Sequence, residues 1–136
     1  MAKKNESELS PAQLHIMNVV WDRGEVGVAE IWVALARERQ VARNTVQTMV
    51  SRLQQKGWLK HRQEGNAFYY TAAVPRQRVL GNLVSRLVDA AFGGSASGLV
   101  LTLLEDARLS PDDAAKIREM IDRAESKRPR PGKEQR

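Results

Sequence analysis

The fold of this 136-residue chain is decided by Asn44-Thr-Val-Gln-Thr-Met-Val-Ser-Arg-Leu53 and by the Lys56-Gly-Trp-Leu59 that follows it. Four apolar residues in the first stretch have the i, i+3, i+4, i+7 spacing that places side chains on one face of an α-helix: Val46, Met49, Val50 and Leu53. Gly57 is the residue type that commonly ends a helix in the left-handed conformation. The pattern predicts an amphipathic helix over about residues 42–56.

A β-hairpin is predicted directly after this helix. Residues 58–62 and 67–71 are rich in aromatic side chains and change from the helical period to a period of two. The Gln-Glu-Gly-Asn sequence at 63–66 has the composition of a hairpin turn. Together, residues 58–71 have the size and position of a wing beside a helix.

The segment before residue 42 predicts two further helices. Ser10 is a favourable N-cap, Pro11 suits the first helical position, and Gln13 is placed to complete a capping box. A short extended stretch lies around residues 26–28, and a second helix is predicted over 29–39. Helix, short strand, helix, helix and hairpin is the order of a winged helix-turn-helix.

The chain after Pro75 is predicted to be helical again, in three segments. The first has a wide apolar stripe up to Phe92, and Gly93-Gly94 interrupts it. Residues 99–104 form a short helix that is apolar around most of its circumference, and Ser110-Pro111 begins the third helix. The predicted fold is therefore mainly α with a small β-hairpin wing. Its parts are a winged-helix domain (9–74), a three-helix dimerisation domain (75–125) and a disordered basic tail (126–136).

The charge distribution favours a polyanionic partner. Lys and Arg number 22 against 16 Asp and Glu, for a net charge of +6. Residues 37–62 alone contain seven basic residues and one acidic residue. This concentration of charge is typical of proteins that bind nucleic acid.

The polar face of the 42–56 helix and the hairpin are the candidate DNA-binding site. Amide, hydroxyl and guanidinium groups pair with base edges and phosphate oxygens in the major groove. The candidates on the helix are Arg43, Asn44, Thr45, Gln47, Thr48, Ser51 and Arg52, and those on the hairpin are Lys60, Arg62 and Asn66. The alternative for the helix is a plain solvated face, and the alternative for the hairpin is that Phe68 and Tyr70 only pack on the core. For the hairpin we expect both, with aromatic packing on one face and contacts to the DNA backbone on the other.

The C-terminal helices have more apolar surface than a segment of this size can bury within itself. A helix that is apolar all round has to be buried. It could pack on the N-terminal domain, but we expect a second copy of the chain to cover it. The candidate interface residues are Leu80, Leu83, Leu87, Leu99, Val100, Leu103, Leu104, Ile117 and Ile121.

Several functional classes have no support in the sequence. The chain contains no cysteine, and His15 and His61 are isolated from each other, so no metal site is expected. Gly93-Gly94-Ser95 lacks the lysine of a phosphate-binding loop. No nucleophile–base pair stands out, so we predict neither a cofactor nor an enzyme. The longest apolar run is six residues, 31–36, and residues 1–8 do not have the pattern of a secretory signal, so we expect none. We therefore expect a cytoplasmic protein without membrane insertion.

The chain resembles the penicillinase-repressor family (BlaI/MecI/CopY type) of bacterial winged-helix transcriptional repressors. The matching stretches are 9–21, 44–53, 56–59, 68–71 and 92–95. The resemblance implies a winged-helix domain, a helical dimerisation domain and repression by occupancy of a DNA operator. It carries the family's recognition positions over to Arg43, Asn44, Thr45, Thr48 and Arg52.

This sequence departs from the family pattern in two places. Copper-sensing members end in a cysteine-rich metal motif, which is absent here, so copper-triggered release is not expected. The β-lactam-responsive members are inactivated by cleavage of an Asn-Phe bond in the dimerisation domain. The corresponding position here is Thr102-Leu103. The resemblance implies a membrane sensor protease as a partner, although the Asn-Phe pair itself is missing.

The predicted function is a homodimeric repressor that binds a palindromic double-stranded DNA operator. Two alternatives stay open at this stage. One is a protein–protein adaptor whose basic face is incidental, and the other is a sequence-neutral nucleic-acid binder with the same fold.

Overall fold

A computed structural model describes residues 9–127 of the chain. Over these residues it has six helices and one hairpin: α1 (Pro11–Arg23), α2 (Val28–Ala36), α3 (Arg43–Gln55), β1 (Leu59–Glu64), β2 (Ala67–Ala72), α4 (Arg76–Phe92), α5 (Ala96–Glu105) and α6 (Pro111–Lys127). The predicted mainly α fold with a hairpin wing is confirmed. The predicted disordered tail lies outside the described residues except for its first two, 126 and 127, which continue α6.

Local side-chain chemistry sets the helix ends. The Ser10 hydroxyl accepts a hydrogen bond from the backbone N–H of Gln13 at 3.1 Å. The side-chain oxygen of Gln13 accepts one from the backbone N–H of Ser10 at 2.9 Å. The predicted capping box is therefore confirmed. At the end of α3, Gly57 has a φ of 91° and the Trp58 amide donates to the Leu53 carbonyl at 2.9 Å. This left-handed turn directs the chain from α3 into β1.

The N-terminal core is built from α1, α2, α3 and the hairpin. The hairpin pairs antiparallel, with His61 opposite Tyr70 and Arg62 opposite Tyr69. Val26 adds a short bridge to the outer edge of β2 at Tyr70. Within residues 9–127, thirteen apolar residues are buried: Ile16, Met17, Val20, Val26, Ile31, Leu35, Val46, Val50, Leu53, Trp58, Leu59, Tyr70 and Val79.

The first turns of α4 are attached to this core. The Trp21 indole donates to the Val74 carbonyl at 2.9 Å, and Arg76 forms a 2.7 Å ion pair with Asp22. Val79 is fully buried and Leu83 packs against the same cluster. The chain divides into two compact units inside α4, between Leu87 and Val88, rather than near the boundary predicted at residues 74–75.

The C-terminal unit, which begins at Val88, has a different character. From residue 88 to residue 127, no side chain is buried. Gly93 and Gly94 have φ values of 58° and 85°, which lie in the left-handed region that glycine tolerates best. They form the corner between α4 and α5, and Ser95 caps α5 by accepting from the Gly98 amide at 2.9 Å.

None of the helices within residues 9–127 is long and apolar enough by itself to cross a bilayer. Taken together, α4 and α5 have the length and apolar composition of a membrane span, but the two helices meet at a bend of 86°.

Two glycine-to-alanine substitutions test these backbone assignments. Gly57→Ala should lower the free energy of unfolding by about 1 kcal/mol, because alanine is strained in the left-handed conformation. Gly81→Ala should raise it by about 0.5–1 kcal/mol, because residue 81 lies in the interior of α4 with open space around it. Urea unfolding at fixed protein concentration measures both. Effects of the same sign would contradict the assignments.

Candidate nucleic-acid interface

Helix α3 has one face in the core and the other in solvent. Val46, Val50 and Leu53 are fully buried, and Met49 is half-buried against them. The helix therefore has the predicted location and the predicted inner face. On the outer face, the candidate residues Arg43, Asn44, Thr45, Gln47, Thr48 and Arg52 are exposed, and Ser51 is half-buried. Asn44, Thr48 and Ser51 lie opposite Val46, while Gln47 and Arg52 flank them, and Arg43 and Thr45 lie near the N-terminal end of the helix.

The N-terminal end of α3 is suited to bind an anion. Its N-cap is Ala42, which provides no side-chain hydrogen bond, and the first turn contains no acidic residue. A helix N-terminus has a partial positive charge and unpaired backbone N–H groups. Arg43 adds a full positive charge at the same end. A helix start without a cap or an acidic residue is locally unfavourable, and a bound phosphate would relieve this.

The turn before α3 is held firmly by α2. The Trp32 indole donates to the Val41 carbonyl at 3.0 Å, which fixes the chain one residue before the N-cap. Arg37 and Arg39 lie exposed in this turn. The start of α3 is therefore a rigid, positively charged corner.

The basic residues divide into paired and unpaired groups. Arg62, Arg76 and Arg123 each form an ion pair with a carboxylate at 2.7–2.8 Å. Across residues 9–127, no carboxylate lies within 4.0 Å of the basic residues on and around α3, which are Arg37, Arg39, Arg43, Arg52, Lys56 and Lys60. Their positive charges are therefore available to an external anion.

The hairpin candidates fall in different environments. Lys60 and Asn66 are exposed, Asn66 in the turn at the tip of the hairpin. Arg62 is bound within the protein, to Glu25 and Glu64. The guanidinium hydrogen bonds hold the pKa of the Glu25 carboxyl below its ordinary value. Glu25 was not predicted as a partner, because 37 residues separate it from Arg62.

Two of the hairpin aromatics, Phe68 and Tyr70, differ in their burial. The prediction that both pack on the core is right for Tyr70, which is buried and whose pKa is raised by desolvation. It is wrong for Phe68, which is 43% exposed. Phe68 lies near the hairpin tip, opposite Gln63, and contacts the edge of the His61 ring at a centroid distance of 5.4 Å.

The candidate dimer residues are also divided in their exposure. Leu87, Val100, Leu104 and Ile121 are exposed, whereas Leu80, Leu83, Leu99, Leu103 and Ile117 are half-buried. Leu83 is already packed against the N-terminal core. Three exposed apolar residues were not among the candidates, although their helical spacing could have identified them: Val84, Leu101 and Met120. On α5, the exposed apolar side chains are Val100, Leu101 and Leu104, and Thr102 points away from them.

A groove of about 330 Å³ lies between α1 and α2. His15 Nδ1 and a Glu38 carboxylate oxygen, both from its lining, are 3.8 Å apart, and both side chains are largely exposed. Within the described part of the chain, no three His, Asp or Glu side chains come together as a metal site requires. The groove is therefore a weaker candidate site than the outer face of α3.

The chain matches a known protein family. The family model described as "Penicillinase repressor" matches residues 9–123. The penicillinase repressor of Bacillus licheniformis is 26% identical over 119 residues, which cover 88% of this chain and 93% of that protein.

Solved structures are similar as well. The DNA-binding domain of the repressor BlaI is 33% identical with a TM-score of 0.49, over 54% of this chain and 89% of that one. The transcriptional regulator Tm0710 of Thermotoga maritima has a TM-score of 0.52 at 20% identity, over 87% of this chain and 75% of that one. With the family model spanning nearly all of residues 9–127, this chain belongs to the penicillinase repressor family of DNA-binding transcriptional repressors.

Proposed function

We propose that this repressor is a homodimer that occupies a palindromic operator, with the outer face of α3 in the major groove. The observation that carries the proposal is the outer face itself. It combines cations that have no carboxylate partner among the described residues with short amide and hydroxyl side chains, the groups that pair with phosphates and base edges.

Each side chain on α3 has a role that suits its chemistry. Arg43 and the uncapped helix start bind phosphates and set the register of the helix. The side-chain amides of Asn44 and Gln47 are each suited to form two hydrogen bonds with adenine. The guanidinium group of Arg52 is suited to form two with guanine. Thr45, Thr48 and Ser51 add shorter contacts. The Thr48 hydroxyl already donates to the Asn44 carbonyl at 3.0 Å, so it contacts DNA through its lone pairs and methyl group.

The hairpin is the wing of the same interface. Lys60 and Asn66 are exposed and have no internal partner among the described residues, so they can reach a neighbouring phosphate or minor groove. These contacts add affinity without reading sequence.

The C-terminal unit supports the dimer. Neither α5, with 10 residues, nor α6, with 17 residues, has a buried side chain. Helices that belong to a complete hydrophobic core have such side chains. Covering Val100, Leu101, Leu104, Met120 and Ile121 with the same surface of a second copy removes this apolar area from water. The two-fold axis then places two α3 helices on one DNA duplex.

Cleavage at Thr102-Leu103 by a membrane sensor protease is the proposed route to derepression. The bond lies inside α5, next to the exposed Leu101 and Leu104. A cut there divides the proposed dimer surface, and the two half-sites then lose the affinity gained from binding together. A repressor of this kind acts in the cytoplasm, where its operator is.

The central test is selection of duplexes from a random-sequence pool by the full chain. We expect inverted repeats whose half-sites lie about one helical turn, ~10 bp, apart or a multiple of it. Binding should have a dissociation constant of about 10⁻⁸ to 10⁻¹¹ M, at least roughly 10³-fold tighter than a random duplex. A neutral binder would show no preference, an adaptor would hardly bind, and either result contradicts the proposal.

Arg52→Ala should weaken binding to the selected duplex by about 1–3 kcal/mol, because a guanidinium contact to a base edge is lost. Arg108→Ala is the matched control. It removes the same charge from an exposed position between α5 and α6, and it should change affinity much less. Fluorescence anisotropy measures both variants, and equal losses would show that α3 does not read the sequence.

Leu104→Asp should shift the protein from dimer to monomer, because a charge replaces an apolar side chain in the proposed contact. Thr102→Asp is the control on the same helix, directed away from the exposed apolar side chains, and should remain a dimer. Light scattering gives the mass of each variant. A Leu104→Asp dimer, or a monomeric wild type, would contradict the proposed assembly.

A further inference from the structure

Arg62 is bound on three sides within the wing. Its Nε and Nη2 donate to the two carboxylate oxygens of Glu25 at 2.8 and 3.0 Å, and its Nη1 donates to Glu64 at 2.8 Å. The guanidinium carbon also lies 4.9 Å from the centre of the Tyr69 ring. A bidentate pair that is stacked on an aromatic ring has a defined geometry, which a simple surface ion pair lacks.

This cluster connects two separate parts of the N-terminal unit. Glu25 belongs to the connection between α1 and α2 and precedes Val26, which exchanges two backbone hydrogen bonds with Tyr70 at 3.1 and 2.7 Å. Arg62 is on β1, the strand on the far side of β2. The Glu25–Arg62 contact therefore spans the width of β2, over Tyr69.

The outer part of the hairpin has little other support. Along β1, every residue after Leu59 is exposed, and on β2 Ala67 and Phe68 are exposed too. Only the base of the hairpin is packed into the core, through Leu59 and Tyr70. The direction of the outer part depends on contacts along its surface, and the Glu25–Arg62–Glu64 cluster is such a contact.

The charges of the cluster make it a poor phosphate site. Arg62 and its two carboxylate partners sum to one negative charge, so a phosphate that approached Arg62 would also meet Glu25 and Glu64. Lys60, on the same face of β1, has no carboxylate partner among the described residues. The cation of this face that is available to DNA is therefore Lys60.

We propose that Arg62 is a positioning residue, which holds the wing against the α1–α2 connection through Glu25 and leaves the phosphate contact to Lys60. The proposal rests on the proposed DNA-binding function for its effect on affinity. It assigns Arg62 a different role from the DNA contact predicted from sequence.

The test measures binding of the selected duplex over a series of salt concentrations. Glu25→Gln and Arg62→Ala should each weaken binding by the same factor, about three- to tenfold, and the double variant should lose no more than either. The slope of log K against log salt should stay unchanged in all three. Lys60→Ala should reduce that slope by about 0.9, as expected for one lost phosphate contact.

A direct phosphate contact by Arg62 would give opposite results. Glu25→Gln would then leave binding unchanged or strengthen it, since a competing carboxylate is removed, and Arg62→Ala would reduce the salt slope. Arg62→Lys distinguishes the positioning role from a direct phosphate contact in a second way. It keeps the charge but loses the bidentate, stacked geometry. Weak binding like that of Arg62→Ala supports the positioning role, and wild-type binding overturns it.

Amide hydrogen exchange of the free protein tests the same contact without DNA. Exchange of the backbone amides in the outer part of the hairpin, residues 63–68, should be faster in Glu25→Gln and Arg62→Ala than in the wild type and in Lys60→Ala. Unchanged exchange in the first two variants would overturn the positioning role. If the wild type bound no duplex at all, the proposed function would fail, while this measurement would still decide whether Arg62 positions the wing.

Discussion

Burial of Val46, Val50 and Leu53 in the N-terminal core fixes the rotation of α3 about its own axis. Because residues of a helix advance by about 100° each, a helix with this face inward must turn Asn44, Thr48 and Arg52 outward. The same packing fixes the polar face relative to the wing, since Gly57 and the Trp58–Leu53 hydrogen bond join α3 directly to β1. The geometry of the interface thus follows from the core.

The two units use apolar residues in different ways. The N-terminal unit buries a continuous cluster that reaches from α1 to Val79 on α4. The C-terminal unit buries none of its described side chains and leaves Leu101 and Met120 more than half exposed. The first unit is therefore a complete core that carries the candidate DNA-binding face, and the second unit has the exposed apolar surface that a second copy covers in the proposed dimer. In the proposed dimer, this division would couple DNA affinity to assembly.

The sequence was informative where structure is local. The spacing around Val46, the capping box at Ser10 and the turn composition at 63–66 predicted α3, the start of α1 and the hairpin, because each depends on neighbours a few residues apart. The ion pair between Arg62 and Glu25 joins residues 37 positions apart, and no repeating sequence pattern indicates it. The placement of Val79 in the N-terminal core also escaped prediction, since an apolar stripe does not say which partner will cover it.

Entry of the outer face of α3 into the DNA groove is tested most directly by thiol protection, because this chain contains no cysteine. A single Thr48→Cys substitution places a thiol on the outer face of α3, and Ser97→Cys places one on the exposed start of α5. The rate of thiol alkylation is measured with and without an excess of the selected duplex. We expect DNA to protect the thiol at position 48 strongly and to leave the thiol at position 97 reactive. An unprotected thiol at position 48 on the bound protein would show that this face does not enter the groove.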